Sequence, residues 1–469
     1  MNLEGRARDV FDVKVMTFPK TKKQNGQCLR AYAGVPDWVD DEDEVTTTNF
    51  AKAICAEIAR LTTLGTKVQV EGSRGDYLQE MVDRNYYNLR KWVEYACAAG
   101  TVILKPNGTD IECITTEDFL ITDTYNGEIW GGIFVDRERS GDGKTFYTRL
   151  EYHRFEGEGD EKRYVVTNKC FVGETVDDVE EEADIAFTPW SMLAEEVSIQ
   201  GLERPLFAVI NTPHANALEE NAPVSPSIIA VALRELRDLD IAYSRNAVEI
   251  EDSKRTVLID SDRLMIDGGT KYNKNTRVGQ LNTARENMGL PKYVKAVEGE
   301  GQGNIYNEIN PTLNTQTRIE GMNALLSQIG YKIGFSNGYF VFNQRMGIQT
   351  ATGVEADQQR TIQFIKDCRD MLEKAVTDIL YALNAFADLY DLAPGGDYEV
   401  TLDFGDLVYN REEDKARWLQ YVQMGKVPFW YFLTKFEGMT EEEAKALEQE
   451  AMQAGLQALY AQQSMVASE

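Results

Sequence analysis

The segment Ser225–Glu251, SPSIIAVALRELRDLDIAYSRNAVEIE, has the pattern of one long amphipathic helix. Ser225 is a favourable N-cap residue, and Pro226 suits the first helical position because the N–H it lacks would have no helical partner there. Apolar residues recur at steps of three or four, which aligns them on one face of a helix roughly 40 Å long. They are Ile229, Leu233, Leu236, Leu239, Tyr243, Ala247 and Ile250. Taken alone, this pattern also fits a core helix of an ordinary globular domain.

Two later segments have similar apolar spacing. Thr312–Lys332 carries apolar residues at alternating steps of three and four, a heptad-like pattern that predicts a second long helix. Thr350–Asp391 predicts the longest helix of the chain, roughly 60 Å at 1.5 Å per residue. Residues 252–311, between the first two helices, are rich in Gly and Asn and predict a small inserted module. A loop at 334–350 holds three glycines and four aromatic residues.

The chain before the central helix changes its pattern twice. Residues 1–45 have no regular period and end in an acidic run, which predicts an irregular, solvated arm. Residues 48–64 and 76–100 predict two helices. Residues 101–190 are rich in β-branched and aromatic residues separated by turn residues, which predicts a run of antiparallel strands. Residues 398–404, YEVTLDF, alternate strictly and predict one strand that returns to this β region.

Composition excludes several classes of protein. The chain has 469 residues, enough for two or three domains, and a net charge of −28 from 49 basic and 77 acidic residues. This charge argues against a protein that grips nucleic acid through its phosphates, but it allows one that lets DNA pass. Six cysteines without metal-finger spacing and two histidines predict neither a metal site nor a cofactor. The absence of a signal sequence and of an 18-residue apolar run predicts a protein of the reducing cytosol with no membrane span.

No catalytic motif stands out, which predicts that the protein is not an enzyme. Gly143-Lys144-Thr145 resembles the end of a P-loop, but Glu138 lies where that motif needs glycine, so the stretch predicts a turn. Two histidines give poor support to a His-based triad. The abundance of acidic residues leaves a carboxylate-based hydrolase as an alternative.

Four stretches, taken in their order, resemble the portal proteins of tailed bacteriophages, which connect head and tail. Their local sequences resemble the branch found in siphophages of Gram-positive hosts. They are Pro205–Ala208 leading to Pro213–Asn216, Ala222–Ser225 running into Leu236–Tyr243 and Glu249, Ile329–Phe340, and Gln349–Val354. The resemblance covers about residues 25–460, and its specificity lies in the order of the stretches. Val224 is a departure, because glycine is expected there before the serine.

The resemblance implies an α+β portal fold with an α/β wing, a two-helix stem, a small α/β clip, a tunnel loop with a long wing helix, and a C-terminal helical crown. The implied parts are the wing at 1–224, the first stem helix at 225–251, the clip at 252–311, the second stem helix at 312–333, the tunnel loop at 334–349, the long wing helix with the returning strand at 350–410, and the crown at 411–469.

The function that the resemblance implies is a non-enzymatic ring of twelve copies at one capsid vertex, through which double-stranded DNA is packaged and ejected. The implied partners are further copies of the chain, the passing DNA, the terminase large subunit, a head–tail adaptor, and the major capsid and scaffolding proteins. The implied location is the virion, with assembly in the host cytoplasm. Twelve helices about 10 Å apart enclose a bore of roughly 28 Å, which admits a DNA duplex. Another virion structural protein, such as a minor capsid protein or adaptor, is an alternative.

Six residues are candidates for the functional surface. The predicted DNA-facing residues of the tunnel loop are Asn343, Gln344 and Arg345. The residues of the first stem helix predicted to line the channel or to pair between subunits are Asp238, Asp240 and Glu249. The arginines available for such pairs are Arg234, Arg237 and Arg245.

Overall fold

A computed structural model describes residues 3–39, 45–108, 110–141, 143–176, 179, 181–252, 256–260, 293–297, 306–309, 314–341, 351–405, 411–424, 426–437 and 439–449. It is 48% helical and 22% strand, in agreement with the predicted α+β class. The chain divides into two compact units, one of Met1–Gly347 with Asp357–Gly405 and one of Ile348–Ala356 with Asp406–Glu469. None of the helices in the described parts combines the length and apolar character needed to cross a membrane.

The N-terminal region is helical rather than irregular, which corrects the prediction for residues 1–45. Its helices are α1 (Leu3–Phe11) and α2 (Pro19–Ala33), followed by α3 (Phe50–Thr62) and α4 (Gly75–Ala99). Hydrophobic periodicity did not predict α1 and α2, because neither helix buries a stripe of large apolar residues. The buried residues of α1 and α2 are Ala7, Thr21, Asn25, Cys28 and Ala31. Small buried side chains give a weak hydrophobic period.

Two antiparallel sheets follow, and their strands within residues 101–190 agree with the run of antiparallel strands predicted there from β-branched and aromatic segments. Their strands are β2 (Thr101–Asn107), β3 (Asp110–Thr115), β4 (Phe119–Tyr125), β5 (Glu128–Arg139), β6 (Phe146–Glu156), β7 (Arg163–Gly173), β8 (Glu181–Ala183), β9 (Glu196–Gln200) and β10 (Ala208–Asn211). One sheet has the order β10-β2-β3, and the other has the order β4-β5-β6-β7-β8 with β9 also paired to β7. Gly143-Lys144-Thr145 lies in the turn between β5 and β6, as predicted.

Two apolar clusters hold these elements together. The first joins α1 to the six-stranded sheet through Ala7, Ile133 and Phe171. The second includes Phe119 and Phe134, whose ring centroids lie 4.7 Å apart. Buried aromatic pairs of this kind stabilise a sheet beyond the area that they bury.

The returning strand pairs with a partner that the sequence pattern did not reveal. It is β14 (Glu399–Asp403), and it forms an antiparallel pair with β1 (Lys67–Glu71) rather than joining the β region. Val68 faces Leu402 and Val70 faces Val400 across this pair, so the apolar residues of both strands share one face. The prediction failed because β1 is only five residues long and lies between two helices, where it gives little signal.

The central helix begins later than Ser225. A 3₁₀ turn covers Ile228–Ala232, and α5 runs from Leu233 to Asp252. The backbone N–H of Ser225 donates to the Thr101 hydroxyl at 2.8 Å, and that of Ser227 donates to the Asn25 side chain at 2.8 Å. Residues 225–227 are therefore tied to α2 and to the start of β2 in an extended connection, and they cannot form the first turn of a helix.

The remaining elements follow the predicted order. A three-stranded sheet contains β11 (Thr256–Asp260), β12 (Tyr293–Val297) and β13 (Tyr306–Ile309), with β11 in the middle. It is followed by α6 (Thr315–Ile333) and α7 (Ala351–Leu389). In the second unit, α8 (Arg411–Gln423) and α9 (Phe429–Glu437) precede a helical stretch at 441–449.

Candidate stem hairpin and the turn after it

Helices α5 and α6 form an antiparallel hairpin that is fixed by one ion pair near each end. Glu235 accepts from the Lys332 ammonium at 2.7 Å, and Glu249 pairs with Arg318. The two pairs lie 14 residues apart on each helix, and the numbers run in opposite directions (235 to 249 and 332 to 318). At 1.5 Å per residue the hairpin stays in register over about 21 Å.

An apolar seam lies between the two ion pairs. Its buried residues are Leu236 and Leu239 on α5, and Met322, Leu326 and Ile329 on α6. Their spacing of three and four residues is the spacing that the sequence predicts for both helices. The apolar contacts hold the helices together, while the charged pairs fix how far one helix can slide along the other.

The Glu235 carboxylate is ionised in this setting. Burial raises the pKa of Glu235. The hydrogen bond from Lys332, a backbone hydrogen bond to the Glu235 carboxylate and the positive charges of Lys332 and Arg234 lower it, and the net pKa lies below the ordinary value. Glu235 is buried and Lys332 is exposed, so the pair lies at the rim of the seam rather than within it. A pair in this position contributes more to register than to stability.

The Asp240 carboxylate accepts hydrogen bonds from residues of the same protomer. This corrects the prediction of Asp240 as a channel or inter-subunit residue. Its side chain is buried. One carboxylate oxygen accepts from the backbone N–H and the hydroxyl of Thr48, both at 2.8 Å, and the other accepts from the indole N–H of Trp38 at 2.9 Å. Asp240 therefore fastens the chain before α3 to α5.

Replacing Asp240 by alanine is expected to destabilise the protein by roughly 2–4 kcal/mol, because three donors on half-buried residues lose a buried, charged acceptor. The neighbouring exposed residue gives a matched control, since Asp238→Ala is expected to change stability by less than about 0.5 kcal/mol. Urea unfolding measures both effects, and hydrogen exchange at the Thr48 amide should accelerate only in the Asp240 variant. Equal effects of the two substitutions would contradict the assignment.

The other two stem candidates have different surroundings. Asp238 is exposed, as are Arg234 and Arg237 beside it. Glu249 pairs with Arg318 of the same protomer rather than with the arginines of α5. Of the three predicted stem residues, Asp238 is thus the one whose side chain is fully available to DNA or to a neighbouring molecule.

The turn after α6 is anchored by aromatic packing. Phe335 is fully buried, and its ring centroid lies 4.7 Å from those of Tyr339 and Phe340 and 5.8 Å from that of Phe364. The Tyr339 hydroxyl donates to Glu57 at 2.5 Å. We name Phe335, Tyr339, Phe340 and Phe364 the aromatic anchor. It fixes the end of α6 against α3 and α7.

The anchor limits what the predicted tunnel loop can do. Phe335, Tyr339 and Phe340, which the prediction included in a DNA-facing loop, are packed against α3 and α7. Gly334, at φ +130°, precedes the anchor, and a Cβ there would lie 2.7 Å from the Phe364 ring. The predicted DNA-facing residues Asn343, Gln344 and Arg345 lie outside the described residues. The anchor therefore brings the chain to a fixed point just before them.

A buried charge network crosses the six-stranded sheet and the adjoining strand β2. Glu151 accepts from Lys105 and Arg149, both at 2.8 Å, and Arg149 also contacts Asp136 at 2.5 Å. Burial raises the pKa of Glu151, but Lys105, His153 and Arg149 together bring it well below its usual range. Both carboxylates are neutralised by cations, which is the arrangement of a structural ion network rather than of a free general base. Among the described residues, no group of His, Cys, Asp and Glu converges to hold a metal ion.

Some of these contacts had a signal in the sequence and some had none. The two ion pairs of the hairpin were detectable, because the spacing of Glu235 and Glu249 on one predicted helix equals that of Arg318 and Lys332 on the other. The contact between Trp38 and Asp240 had no local signal, since about 200 residues separate them. The aromatic residues of the turn were evident, but their packing was not.

Comparison with known proteins gives distant likenesses to solved structures, including two chains of a gene transfer agent particle. No family model matches the chain, and no curated protein sequence matches it. A chain in a structure of the virion of a native gene transfer agent particle aligns with a TM-score of 0.43 and 11% identity, over 91% of this chain and 93% of its own. A chain from the neck of the native particle, computed with C12 symmetry, aligns with a TM-score of 0.39 and 11% identity, over 93% and 95%. Because these TM-scores and identities are low, the function has to be inferred from the residues of this chain.

Proposed function

We propose that this protein is a phage portal protein, a ring-forming channel through which double-stranded DNA enters and leaves a capsid. The observation that carries the proposal is the hairpin of α5 and α6, two antiparallel helices in fixed register with a small sheet between them in sequence. Such a hairpin can serve as one strut of a hollow stem. The anchored turn and the 39-residue helix α7 follow it in the order that the resemblance requires.

Exposed apolar side chains in the second half of α5 support a stem built from several copies. Tyr243, Val248 and Ile250, all in the second half of the helix, are each 43–50% exposed. Tyr243 and Ile250 continue the same apolar face whose first half is buried inside the protomer. In a ring, the neighbouring hairpins would cover these side chains, which removes apolar area from water.

The electrostatics suit a channel that DNA passes through. Each chain carries a net charge of −28, and Asp238 is exposed on the stem. A wall of this charge repels phosphates and so does not hold the duplex at one place. DNA would then be contacted at few points, and Asn343, Gln344 and Arg345, carried on the aromatic anchor, are the residues that we propose for this contact.

We assign the remaining parts by the same reasoning. The wing would consist of α1–α4, the β sheets and α7 with β14, and the clip would contain β11–β13. The helices from Arg411 onward would form the crown. The clip would meet the terminase large subunit and later the head–tail adaptor, while the major capsid and scaffolding proteins would contact the wing. The protein would then reside at a capsid vertex of the virion after assembly in the host cytoplasm.

Electron microscopy of the purified protein tests the proposal. We expect rings with a central hole, and native mass measurement should give a ring of about twelve copies, the number for which the helix spacing encloses a DNA duplex. Particles without a hole, or a protein that stays monomeric at every concentration, would exclude the proposal. A ring that lacks α5 and α6 at its narrowest part would exclude the stem assignment.

Replacement of residues 342–349 by an equal-length Gly/Ser segment should separate assembly from packaging. We expect rings to form normally, because the aromatic anchor is untouched, and we expect most nuclease-protected DNA to be lost from particles assembled with the variant. The same replacement at residues 141–144, in the turn between β5 and β6, is the control and should leave packaging intact. Normal packaging by the 342–349 variant would show that this segment does not contact DNA during translocation.

A further inference from the structure

The loop between β8 and β9 has a fixed backbone. Asn168 of β7 donates from its backbone N–H to the Glu195 carbonyl at 2.7 Å and from its side chain to the Ala194 carbonyl at 2.8 Å. The Thr188 hydroxyl donates to the Ile185 carbonyl at 2.8 Å, and the Trp190 ring lies under the Arg149 guanidinium at 5.4 Å. The loop is thus held in one conformation by the sheet next to it.

The same loop exposes large apolar side chains within an acidic surface. Met192 is 95% exposed and Phe187 is 81% exposed. Glu195 and Glu196 follow them and are exposed, as are Glu181 and Glu182 before them. A rigid loop that holds apolar side chains in water suits docking, because little conformational entropy is lost when it binds.

Helix α4 carries a surface of the opposite character. Arg84, Tyr87, Lys91 and Tyr95 are all exposed and lie at steps of 3, 4 and 4, which aligns them along roughly 16 Å of one helix face. We name these four residues the α4 stripe. Tyr87 at its centre is 84% exposed, and Arg90 beside it is also exposed. Arg84 donates to Glu80 at 2.6 Å within the protomer, so Lys91 and the neighbouring Arg90 supply the positive charge toward a partner. The stripe is therefore aromatic with a basic centre, in a chain that is strongly acidic as a whole.

The loop and the α4 stripe both carry unusually exposed apolar side chains. Among the large apolar side chains that the structure describes, the three most exposed are Met192, Tyr87 and Phe187. All three belong to these two surfaces, so neither surface covers the other within one protomer. Aromatic rings and cations on one side match apolar side chains and carboxylates on the other.

We propose that the loop between β8 and β9 of one copy docks on the α4 stripe of the next copy. The contact is heterologous, because it joins two different surfaces of the chain, and repetition of it gives a closed ring when the rotation closes. The inference builds on the proposed function by naming the surfaces that hold neighbouring protomers together outside the stem. The acidic, apolar character of the loop is what selects a second copy of this chain as the occupant of the stripe.

A disulfide trap tests the contact in the full chain. With Tyr87→Cys and Met192→Cys in one chain, mild oxidation should produce a ladder of crosslinked species on a non-reducing gel, up to the full ring. The six native cysteines should stay unreacted, because burial raises the pKa of each thiol and keeps it protonated. At Cys28, Cys113 and Cys368 the pKa is raised to about 12.

Two controls make the trap specific. A mixture of the two single-cysteine chains should give crosslinked dimers without a longer ladder. Each chain then carries only one introduced cysteine and can form only one disulfide with a neighbour. Tyr125→Cys combined with Met192→Cys should give no ladder, although Tyr125 is also well exposed at 65%. Rings that form without a Tyr87–Met192 ladder would overturn this inference and leave the proposed function standing. A ladder from a protein that forms only open polymers would support the contact and overturn the ring.

Charge reversal distinguishes a protein partner from nucleic acid. Lys91→Glu is expected to weaken self-association roughly tenfold, and adding Glu195→Lys should restore part of it, with association measured by sedimentation at low salt. If Lys91→Glu lowers the affinity for a DNA duplex and leaves self-association unchanged, the stripe is a nucleic-acid surface and the inference is wrong.

Discussion

Replacing Gly100 by alanine is expected to destabilise the protein by roughly 3–5 kcal/mol. Gly100 ends α4 at φ +84°, and a Cβ there would lie 2.2 Å from the Ser225 carbonyl oxygen and 2.6 Å from the Pro226 carbonyl carbon. Both contacts are with backbone atoms, so a side-chain rotation cannot relieve them. The connection that leads into α5 would have to move, and the start of α5 would move with it.

Gly127 supplies the matched control for this prediction. It also has a positive φ, +79°, but a Cβ there would meet nothing within 4 Å. Gly127→Ala should therefore cost only the backbone strain, about 1 kcal/mol. The difference between the two unfolding midpoints in urea isolates the clash at Gly100. If the two variants unfold at the same denaturant concentration, the close approach of residues 225–227 to Gly100 does not exist in solution.

Replacing Phe335 by alanine is expected to destabilise the first unit by roughly 3–5 kcal/mol, because the substitution empties the centre of the aromatic anchor. Phe335 is fully buried against Tyr339, Phe340 and Phe364, and these rings cannot close the gap without moving α7. The variant should also lose the hydrogen-exchange protection of the Ser336 amide, which donates to the Thr361 hydroxyl at 2.8 Å.

Tyr339→Phe tests whether packing or hydrogen bonding holds the anchor. It keeps the ring and removes only the hydroxyl that donates to Glu57, so it should cost about 1–2 kcal/mol. Urea unfolding followed by tryptophan fluorescence measures both variants. A larger effect for Tyr339→Phe than for Phe335→Ala would mean that the bond to Glu57, and not aromatic packing, fixes the turn.

The local periodicity of the sequence predicted most of the long helices. α4 was predicted at 76–100 and spans Gly75–Ala99, and α6 was predicted at 312–332 and spans Thr315–Ile333. These helices are predictable because each buries a continuous stripe of large apolar residues, and such a stripe repeats within a few positions. α1 and α2 bury small or polar residues, so the same test misses them.

The candidate site was less predictable than the helices that carry it. The sequence showed that Asp238, Asp240 and Glu249 lie on one helix, but three different environments were found for them. Asp240 is buried against Trp38 and Thr48, which approach it from the N-terminal region. A carboxylate on a helix has the same local pattern whether it faces water or a distant indole N–H. Its environment is set by whatever packs on it.

The sequence by itself determined the α+β class, the β-rich region after α4, the acidic charge and the two helices of the hairpin, since each depends on composition or on residues within a few positions of one another. The tertiary structure alone decided that β14 pairs with β1, that residues 225–227 run extended past Gly100, and that Phe335 is buried against Tyr339 and Phe340. These features join segments separated by tens to hundreds of residues. The free energy that selects them comes from close packing and buried hydrogen bonds between those segments, which no local pattern records.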